Sequence, residues 1–486
     1  MKNLTSLTIR QAHEGLKKRT FSSVDLTQAF LERIKKITPQ LNDYVYVATE
    51  TALKEAKEAD EYIRNNTNFN PLTGVPVAIK DIFCTADLPS TAGSKILKDF
   101  IPPYDATAVK KLKAQHCVIL GKTNTDEFAM GASTETSCYG PTKNPWDASR
   151  VAGGSSGGSA AAIASDNTIY ALGTDTGGSI RQPASFCGCS GLKVTYGRTS
   201  RYGVMAMASS FDTIGPLAKT VEDLALILNI IAGSDPLDST TPPQTVPDYT
   251  ANLNQGIKGL KIGVPREYFS EGVEEETRNK VRDSIKILKK LGAITVEVSL
   301  PLTRYGVALY YILVPAEVSA NLARYDGLRF GPTVKNPDNL LDLYLKNRGV
   351  GFGQEAKRRI MLGTYCLSAG YYEAYYQKAQ KVRALVIQDF NSVFEEVDLI
   401  ITPVTPTPAF KISEKTDPLQ LYLCDALTIP ASAAGLPALA LPCGLSSENL
   451  PIGLQLIAPQ FQEDLLLKVG YTFQKNTDFH LRKPAL

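Results

Sequence analysis

The sequence contains very little histidine: three residues, His13, His116 and His480, in a chain of 486. They lie far apart, belong to no HExxH or other paired-ligand pattern, and occupy stretches that predict surface positions. A catalytic zinc site usually takes several histidines, and a Ser-His-Asp hydrolase needs one as its base. The count therefore argues against both classes, and we expect any hydrolase chemistry in this chain to use a different base.

The chain also lacks a strong charge excess, paired cysteines and a membrane-spanning pattern. Lys and Arg number 52 against 49 Asp and Glu, a net charge of +3, less basic than expected for a protein that binds nucleic acid through its own surface. The 8 cysteines form no CxxC pair and are typical of reduced thiols in a cytosolic protein. No signal-peptide pattern begins the chain, and prolines and glycines interrupt its longest uncharged stretch, about 426–447. We expect a cytoplasmic protein that contacts no membrane.

The N-terminal segment, residues 1–65, predicts helices. The run Ser22-Ser23-Val24-Asp25 matches a capping box, and apolar residues follow it at helical spacing. Pro39 is expected to end that helix, because proline has no backbone N–H to donate. A second run, from Thr49 to about Arg64, is rich in Ala, Glu and Lys and predicts an amphipathic surface helix.

From residue 66 onwards the pattern predicts an α/β fold. Apolar strands at 74–79 and 117–120 flank a helical segment, and the same alternation recurs over 260–298. Residues 300–395 predict a mostly helical region. Length alone suggests about three domains, but the strands extend from one end of the chain to the other. That spread favours one large α/β domain over residues 1–486.

Two segments in the centre are rich in glycine and serine. The first is Gly153-Gly154-Ser155-Ser156-Gly157-Gly158-Ser159, and the second is Asp175-Thr176-Gly177-Gly178-Ser179-Ile180-Arg181. A phosphate-binding loop is one interpretation, but neither GxxxxGK[ST] nor GxGxxG is present. A tight structural turn is a second interpretation, which explains some of the glycines but not the repeated serines.

A third interpretation is chemical. Consecutive glycines let the backbone approach a substrate, and the successive N–H groups of Thr176, Gly177, Gly178 and Ser179 suit the oxyanion of an acyl-transfer intermediate. A serine nucleophile also needs a base. With histidine nearly excluded, a lysine kept neutral by burial is the remaining common choice, and Lys80, at the end of an apolar strand, is the candidate.

At three motifs the sequence resembles the amidase signature family. They are Gly74-Val75-Pro76-Val77-Ala78-Ile79-Lys80-Asp81, the segment Gly153–Ser159, and Asp175–Ala184, in the family's order and spacing. The resemblance implies a single amidase-signature domain of the α/β class, with a mixed central sheet covered by helices on both faces. Residues 66–230 would form the catalytic core, and residues 300–395 a helical cover that contributes to the substrate pocket.

The same resemblance implies a Ser–Ser–Lys triad. Ser179 would be the nucleophile that forms an acyl-enzyme, and Lys80 the general base. Ser155, after a cis peptide bond from Gly154, would relay the proton between them. Asp175 and Arg181, which flank the nucleophile loop, would orient it without taking part in the chemistry.

Further motifs narrow the resemblance to the glutaminase (A) subunits of tRNA-dependent amidotransferases. These motifs are Gly121–Gly131, Ser133–Ser137, Thr195–Arg198, Asp212–Pro216, Gly351–Ile360 and Gly370–Tyr376. The narrower resemblance implies that glutamine is hydrolysed and its ammonia used to transamidate Glu-tRNA(Gln), Asp-tRNA(Asn) or both. A partner, the B subunit, would bind ATP and Mg²⁺ and most of the charged tRNA, and a small C subunit would bridge the two. No metal or cofactor is expected in this chain.

Glutamine is a zwitterion, so its pocket needs opposite charges. By resemblance, Arg359 would bind the α-carboxylate, Asp425 the α-ammonium, and Tyr310 would add a hydroxyl. Arg358 remains an alternative to Arg359, because a shift of one residue exchanges them. The chain also departs from the family's usual pattern, with Ala132, Val194 and Thr213 at positions where Ser, Pro and Gln are frequent. These departures affect the expected shape of the pocket and not the triad.

Three other functions stay open on the sequence. A standalone amidase for another small, apolar or aryl amide would have a pocket without paired charges. A non-enzymatic binding protein would be favoured by a broken triad, whereas all three residues are present. A cysteine glutaminase would use Cys189, for which the sequence offers no histidine partner.

Overall fold

A mixed eleven-stranded sheet runs through residues 4–486, the part of the chain that the computed structural model describes. Its strands lie in the order β1-β3-β2-β6-β8-β7-β12-β13-β11-β9-β10, and β4 and β5 form a separate pair. In chain order the strands are β1 Tyr44–Val47, β2 Pro76–Lys80, β3 Val118–Thr123, β4 Lys143–Asn144, β5 Asp147–Val151, β6 Tyr170–Asp175, β7 Ser190–Lys193, β8 Thr213–Ala218, β9 Lys261–Pro265, β10 Ile294–Val298, β11 Leu399–Pro403, β12 Ala438–Leu445 and β13 Pro451–Ile457.

Helices cover this sheet on both faces. Strands β2, β3, β6 and β8 are buried at every position, and because successive side chains of a strand point to opposite faces, neither face is open to solvent. The α-helices of the described residues are α1 Ile9–Lys17, α2 Ser23–Leu41, α3 Thr49–Asn65, α4 Thr107–Lys113, α5 Gly157–Ala164, α6 Arg181–Cys187, α7 Val221–Ile231, α8 Glu275–Lys290, α9 Gly306–Asn321, α10 Leu340–Gly351, α11 Gln354–Cys366, α12 Lys378–Phe394, α13 Pro418–Tyr422, α14 Ile429–Ala433 and α15 Glu463–Lys475. The predicted fold class, one α/β domain on a mixed sheet, is confirmed.

The N-terminal segment differs from its prediction in two details. The capping box at Ser22 is present, with Asp25 as its reciprocal partner. The expected end of the helix at Pro39 is wrong, because α2 continues to Leu41 and ends at Asn42 in the left-handed conformation. A proline in the last turn removes only one of the hydrogen bonds there, so the helix is lost within three residues and not at once. The strand Tyr44–Val47, which pairs with β3, was not predicted.

The sheet places two strand ends beside each other. β2 and β6 are parallel neighbours, with Ile79 opposite Leu172, so Lys80 at the end of β2 and Thr174 near the end of β6 meet at the same edge of the sheet. The carboxyl ends of parallel strands commonly hold a binding site. Both glycine-rich segments connect to elements at this edge, since one leads into α5 and the other follows β6.

Within the helical region, α9 and α11 are in close contact. A side chain on Gly363 of α11 would overlap the carbonyl oxygen of Pro315 in α9. Within residues 4–486, the segment Pro301–Arg324, which includes α9, is the one helical stretch long and apolar enough by length and composition to cross a membrane. Half of its most apolar window is buried inside the protein, as expected for a core helix.

This contact gives a first test. We expect Gly363→Ala to lower the free energy of unfolding by about 1–3 kcal/mol, because the added methyl has no room between the helices. Gly349→Ala in α10 is the matched control, since nothing lies within 4 Å of a side chain there, and it should stabilise the protein by about 0.5–1 kcal/mol. Urea unfolding of both variants decides the point, and equal effects would contradict the close packing of α9 on α11.

Candidate active site

Lys80 is completely buried at the carboxyl end of β2. The apolar residues that precede it, Val77, Ala78 and Ile79, are buried on both faces of the sheet. Because Lys80 continues the same strand, it is buried with them. Its Nζ lies 2.7 Å from Ser155 Oγ, 3.0 Å from Ser156 Oγ and 2.8 Å from Thr174 Oγ1. The amine therefore contacts three hydroxyl groups and forms no hydrogen bond to a carboxylate of the described residues.

Burial lowers the pKa of Lys80 to about 7, because the ammonium form loses its hydration. The negative charges of Asp126, Asp175 and Asp212 act in the opposite direction and keep the pKa from falling further. At neutral pH the side chain is thus divided between its charged and neutral forms, which is the condition for a general base.

A neutral amine has two N–H donors and one lone pair. The hydroxyl of Ser156 donates to the Thr174 carbonyl at 3.2 Å, so Ser156 accepts a hydrogen bond from Lys80. The lone pair is left for the hydroxyl proton of Ser155 or of Thr174. The geometry therefore allows neutral Lys80 to take a proton from Ser155.

The loop that carries Ser155 is fixed from several sides. The Gly154–Ser155 peptide bond is cis. The N–H of Gly154 donates to Gln182 Oε1 at 2.9 Å, and the carbonyl of Gly153 accepts from Thr134 Oγ1 at 2.6 Å. A side chain on Gly154 would overlap the carboxylate of Asp126, so glycine is required for the close approach.

Asp126 is a supporting residue that the motifs did not single out. It is fully buried and accepts hydrogen bonds from the N–H of Thr134 at 2.9 Å and from Thr136 Oγ1 at 2.9 Å. Those bonds fold the 131–136 segment against the Ser155 loop. Its position inside the quoted Gly121–Gly131 motif was the available signal, but a motif alone does not show which of its residues points inward.

The loop that carries Ser179 presents free backbone donors. None of the N–H groups of Thr176, Gly177, Gly178 and Ser179 donates a hydrogen bond to any residue in the described range 4–486. The carbonyl of Ser179 accepts from the N–H of Ser156 at 3.0 Å, which joins the two loops. Successive unpaired N–H groups next to a serine hydroxyl form a suitable site for an oxyanion.

Asp175 and Arg181 flank this loop and form an ion pair that joins its two ends. Both are fully buried, and two nitrogens of the guanidinium lie 2.9 Å from the two carboxylate oxygens. Burial alone would raise the pKa of Asp175, but the charge and hydrogen bonds of Arg181 hold it below its ordinary value. Arg181 also donates to Thr428 O at 2.9 Å and to Gln455 Oε1 at 2.7 Å, so the pair ties the loop to the C-terminal third of the chain.

A cavity of about 200 Å³ lies beside the first residue of the nucleophile loop, Thr176. It is lined by Thr174, Thr176 and Asp212, among others. Thr176 Oγ1 donates to Asp212 Oδ1 at 2.7 Å, and burial raises the pKa of Asp212 to about 6. Asp212 thus holds Thr176, the first residue of the loop. Asp212 begins the motif Asp212–Pro216, but the motif alone does not show this role.

Arg359 and Arg358 have different surroundings, although they are neighbours in sequence. Arg359 is 2% exposed, and its guanidinium lies 5.1 Å from the ring centre of Tyr311 and 5.6 Å from that of Tyr422. Its Nε donates to Glu355 at 2.8 Å, while its two terminal nitrogens form no hydrogen bond to residues 4–486. Arg358 is exposed and pairs with Glu355 on the outer side of α11. The geometry therefore favours Arg359, and not Arg358, as the residue that binds a ligand inside the protein.

Tyr310 and Asp425 border the nucleophile loop. A side chain on Gly177 would lie 2.9 Å from the Tyr310 hydroxyl, and one on Gly178 would lie 2.9 Å from Asp425 Oδ1. Asp425 Oδ1 is buried without a hydrogen-bond partner among the described residues. Burial, reinforced by the charge of Asp175, raises the pKa of Asp425 to about 8, against the opposing charges of two arginines. A cation bound beside this carboxylate would supply the missing partner.

The other candidate residues do not form a second site. Burial raises the pKa of Cys189 to about 12, which suppresses the thiolate that a cysteine nucleophile requires. The described residues contain no group of three His, Cys, Asp or Glu side chains that could hold a metal ion. All three histidines, expected at the surface, are half-buried instead, and among them His13 packs on Phe69 and His116 on Tyr62.

The buried ion pair at the base of the loop gives a second test. We expect Arg181→Met to lower the free energy of unfolding by about 3–5 kcal/mol, because it leaves the Asp175 carboxylate buried without a partner. The double variant Asp175→Asn, Arg181→Met removes that charge and should recover part of the loss. Urea unfolding of the wild type, both single variants and the double variant measures the coupling free energy between Asp175 and Arg181. Strictly additive changes in the free energy of unfolding would contradict a stabilising ion pair.

The chain is similar over nearly its whole length to known proteins. The family model described as Amidase matches residues 25–467. The chain is 56% identical over 481 residues to the glutamyl-tRNA(Gln) amidotransferase A subunit of Geobacter sp. (strain M21), with 99% of each chain covered. It is 54% identical over 487 residues to the protein of the same name from Chloroflexus aggregans, covering 100% of this chain and 99% of the relative.

Solved structures show the same similarity. The crystal structure of the glutamyl-tRNA(Gln) amidotransferase A subunit from Thermotoga maritima superposes with a TM-score of 0.82 at 41% identity, covering 98% of this chain and 96% of that one. A peptide amidase in complex with the inhibitor chymostatin gives a TM-score of 0.86 at 30% identity, with 99% of each chain covered. These matches confirm the resemblance drawn from the three motifs: the chain belongs to the amidase family.

Proposed function

We propose that this chain is the glutamine-hydrolysing subunit of a tRNA-dependent amidotransferase. The observation that carries the proposal is a pair of buried groups of opposite charge: Asp425 borders the nucleophile loop, and the charge of Arg359 acts on it and lowers its pKa against the larger effect of burial. The names of the relatives, which share more than half of their residues with this chain, support it independently. Glutamine is a small amide that carries both charges that such a pocket would neutralise.

Glutamine would bind by its two charged groups. The free terminal nitrogens of Arg359 present the fork that pairs with a carboxylate through two hydrogen bonds. The unpartnered oxygen of Asp425 would accept from the α-ammonium, and Tyr310 would add a hydroxyl between them. With its α-substituents held in this way, the side-chain amide would extend toward Ser179.

Acylation would then proceed through the Ser–Ser–Lys relay. Ser179 Oγ attacks the amide carbon and passes its proton through Ser155 to the neutral amine of Lys80. The developing oxyanion is stabilised by the free N–H groups of the loop from Thr176 to Ser179. The proton returns from Lys80 through Ser155 to the leaving nitrogen, the carbon–nitrogen bond breaks, and ammonia departs from a γ-glutamyl ester on Ser179.

Deacylation would reverse the relay. A water molecule gives one proton through Ser155 to Lys80 and attacks the ester carbon, and the same oxyanion site stabilises the second intermediate. The proton returns to Ser179 Oγ as the ester bond breaks. Glutamate leaves, and the free serine and the neutral lysine are restored.

The released ammonia would be used by a partner. This partner, the B subunit, would activate the misacylated tRNA with ATP and Mg²⁺ and bind most of the charged tRNA, and a small C subunit would join the two, in the cytoplasm. The names of the relatives refer to Glu-tRNA(Gln), which is the proposed acceptor. Asp-tRNA(Asn) is included in the proposal on the sequence resemblance alone.

The alternative is a standalone amidase for another small amide. The similarity of the fold to a peptide amidase fits that alternative as well as it fits a glutaminase. The charged pocket distinguishes them, because an apolar amide would leave the terminal nitrogens of Arg359 and the carboxylate of Asp425 without partners, at a cost in binding free energy.

The pocket charges give the test of function. We expect Arg359→Met to lower kcat/KM for glutamine by about 30-fold or more, because a buried ion pair with the substrate is lost. Arg358→Met, the neighbouring exposed residue, should stay within about threefold of wild type. Glutamate release by the complex with subunits B and C measures both, and Ser179→Ala, expected to lose about 10⁴-fold or more in kcat, is the catalytic control. Faster turnover of an apolar amide than of glutamine would reject the glutaminase in favour of the alternative.

The pKa values of Lys80 and Asp425 predict the pH dependence. We expect kcat/KM to rise with pH through about 7 and again through about 8, because the free enzyme needs neutral Lys80 and ionised Asp425. In the complex with glutamine, the α-ammonium keeps Asp425 ionised, so kcat should show only the limb near 7. Rates measured from about pH 6 to about pH 8.5 test this. Asp425→Asn should abolish the upper limb and keep the lower one, and a kcat that does not depend on pH over this range would contradict the role of Lys80.

A further inference from the structure

Glu355 is a buried carboxylate that lies beside the proposed pocket and takes no part in the relay. It belongs to the first turn of α11. One of its oxygens, Oε1, accepts two hydrogen bonds, from Nε of Arg359 at 2.8 Å and from the hydroxyl of Tyr422 at 2.9 Å. The other oxygen accepts from Arg358, whose side chain is exposed on the outer side of the helix. A single inner oxygen atom therefore joins Arg359 to the segment that contains Tyr422.

The bond to Nε orients the guanidinium of Arg359. It is the only hydrogen bond of this side chain within residues 4–486. The rings of Tyr311 and Tyr422 stack with their centres 3.7 Å apart, and the guanidinium packs against both, which restricts its rotation. A guanidinium binds a carboxylate best through two parallel hydrogen bonds. With Nε occupied by Glu355, the two terminal nitrogens are the edge that is left for the carboxylate of a substrate.

The bond from Tyr422 holds the segment that carries Asp425. Tyr422 is the last residue of α13, and Asp425 is the last residue of the 3₁₀ turn that follows it. Within the described part of the chain, the hydrogen bond from Tyr422 to Glu355 is the only one that joins residues 418–425 to a residue outside 417–428. The carboxylate of Asp425 is therefore one short turn away from the point at which its segment is held.

The two bonds meet at one atom, so together they relate the position of Arg359 to that of Asp425. The carboxylate and the ammonium of an α-amino acid are attached to the same carbon, and their separation is fixed. A pocket that binds both groups needs its own two charges at a matching separation. Without the oxygen of Glu355, the guanidinium and the Asp425 segment would have to be ordered when the substrate binds, which lowers affinity.

We propose that Glu355 is a positioning residue that, together with Tyr422, holds Arg359 and Asp425 at the separation that an α-amino acid zwitterion requires. The pair would thereby select amides that carry both charges. This inference rests on the proposed function. A different role for Glu355 is to neutralise a buried arginine, and in that case its loss would reduce stability and leave the preference for zwitterionic ligands unchanged.

The first test is the split between KM and kcat for glutamine, measured on the complex with subunits B and C. We expect Glu355→Ala to raise KM by about 30-fold or more and to leave kcat within about threefold of wild type, because the change affects binding and not the relay. Glu355→Gln keeps an acceptor oxygen and should raise KM by only about fivefold. Glu61→Gln, at an exposed glutamate of α3, is the matched control and should equal wild type.

The second test separates the two charges of the ligand. Tyr422→Phe keeps the ring and removes the hydroxyl, so it releases the Asp425 segment while Arg359 stays bound to Glu355. Glutaric acid monoamide is glutamine without its α-ammonium, and it would therefore meet Arg359 alone. We expect Tyr422→Phe to raise the KM for glutamine by about tenfold and the inhibition constant of the monoamide by less than about twofold. Tyr46→Phe, at an exposed tyrosine of β1, should change neither constant.

Three results would overturn the inference while the proposed function stands. They are an unchanged KM in Glu355→Ala, a loss confined to kcat in that variant, and equal changes for glutamine and the monoamide in Tyr422→Phe. Circular dichroism shows whether each variant is folded, and if Glu355→Ala is not, the same criteria apply to Glu355→Gln and Tyr422→Phe. A wild-type complex that does not hydrolyse glutamine would overturn the proposed function and this inference together.

Discussion

The burial of a single amine, Lys80 Nζ, sets the conditions for the rest of the catalytic edge. An ammonium group without hydration and without a direct carboxylate partner is costly, so the lysine gives up its proton near neutral pH. Three hydroxyls surround it, and hydroxyls stabilise a neutral amine as well as a charged one. The parallel strands β2 and β6 make this arrangement possible by bringing an apolar run and its terminal lysine against Thr174.

The buried carboxylates around this amine are satisfied by other partners. Asp175 is neutralised by Arg181, Asp126 is bound by backbone and hydroxyl groups of the 134–136 segment, and Asp212 holds Thr176. Each therefore acts on Lys80 through its charge and not through a hydrogen bond. The same carboxylates fix the two serine loops, so the residues that keep the pKa of Lys80 from falling too low also position Ser179, the proposed nucleophile.

Much of the fold and of the candidate site could be predicted from the sequence, and the elements that could not be predicted were missed for physical reasons. The apolar run that ends at Lys80 and the glycine-rich loops are local signals, so they were found. Strands β7 and β8 were missed, because they contain glycine, proline and threonine and are strands only by pairing with their neighbours. Arg358 and Arg359 cannot be separated by sequence, since consecutive helical residues point about 100° apart and only packing shows which one faces inward.

The contact at Gly363 has a consequence for how such a protein changes over evolutionary time. Tyr310 on α9 and Arg359 on α11 belong to two helices that touch backbone to backbone, whereas Lys80, Ser155 and Ser179 are held by the sheet and its loops. Two of the proposed glutamine ligands are therefore held by the helix pair, and the three residues of the proposed relay by the sheet and its loops. If these roles hold, substitutions on the helix pair would change which acyl group binds without moving the atoms of the proposed relay. A single framework of this kind can supply many amidases with different substrates.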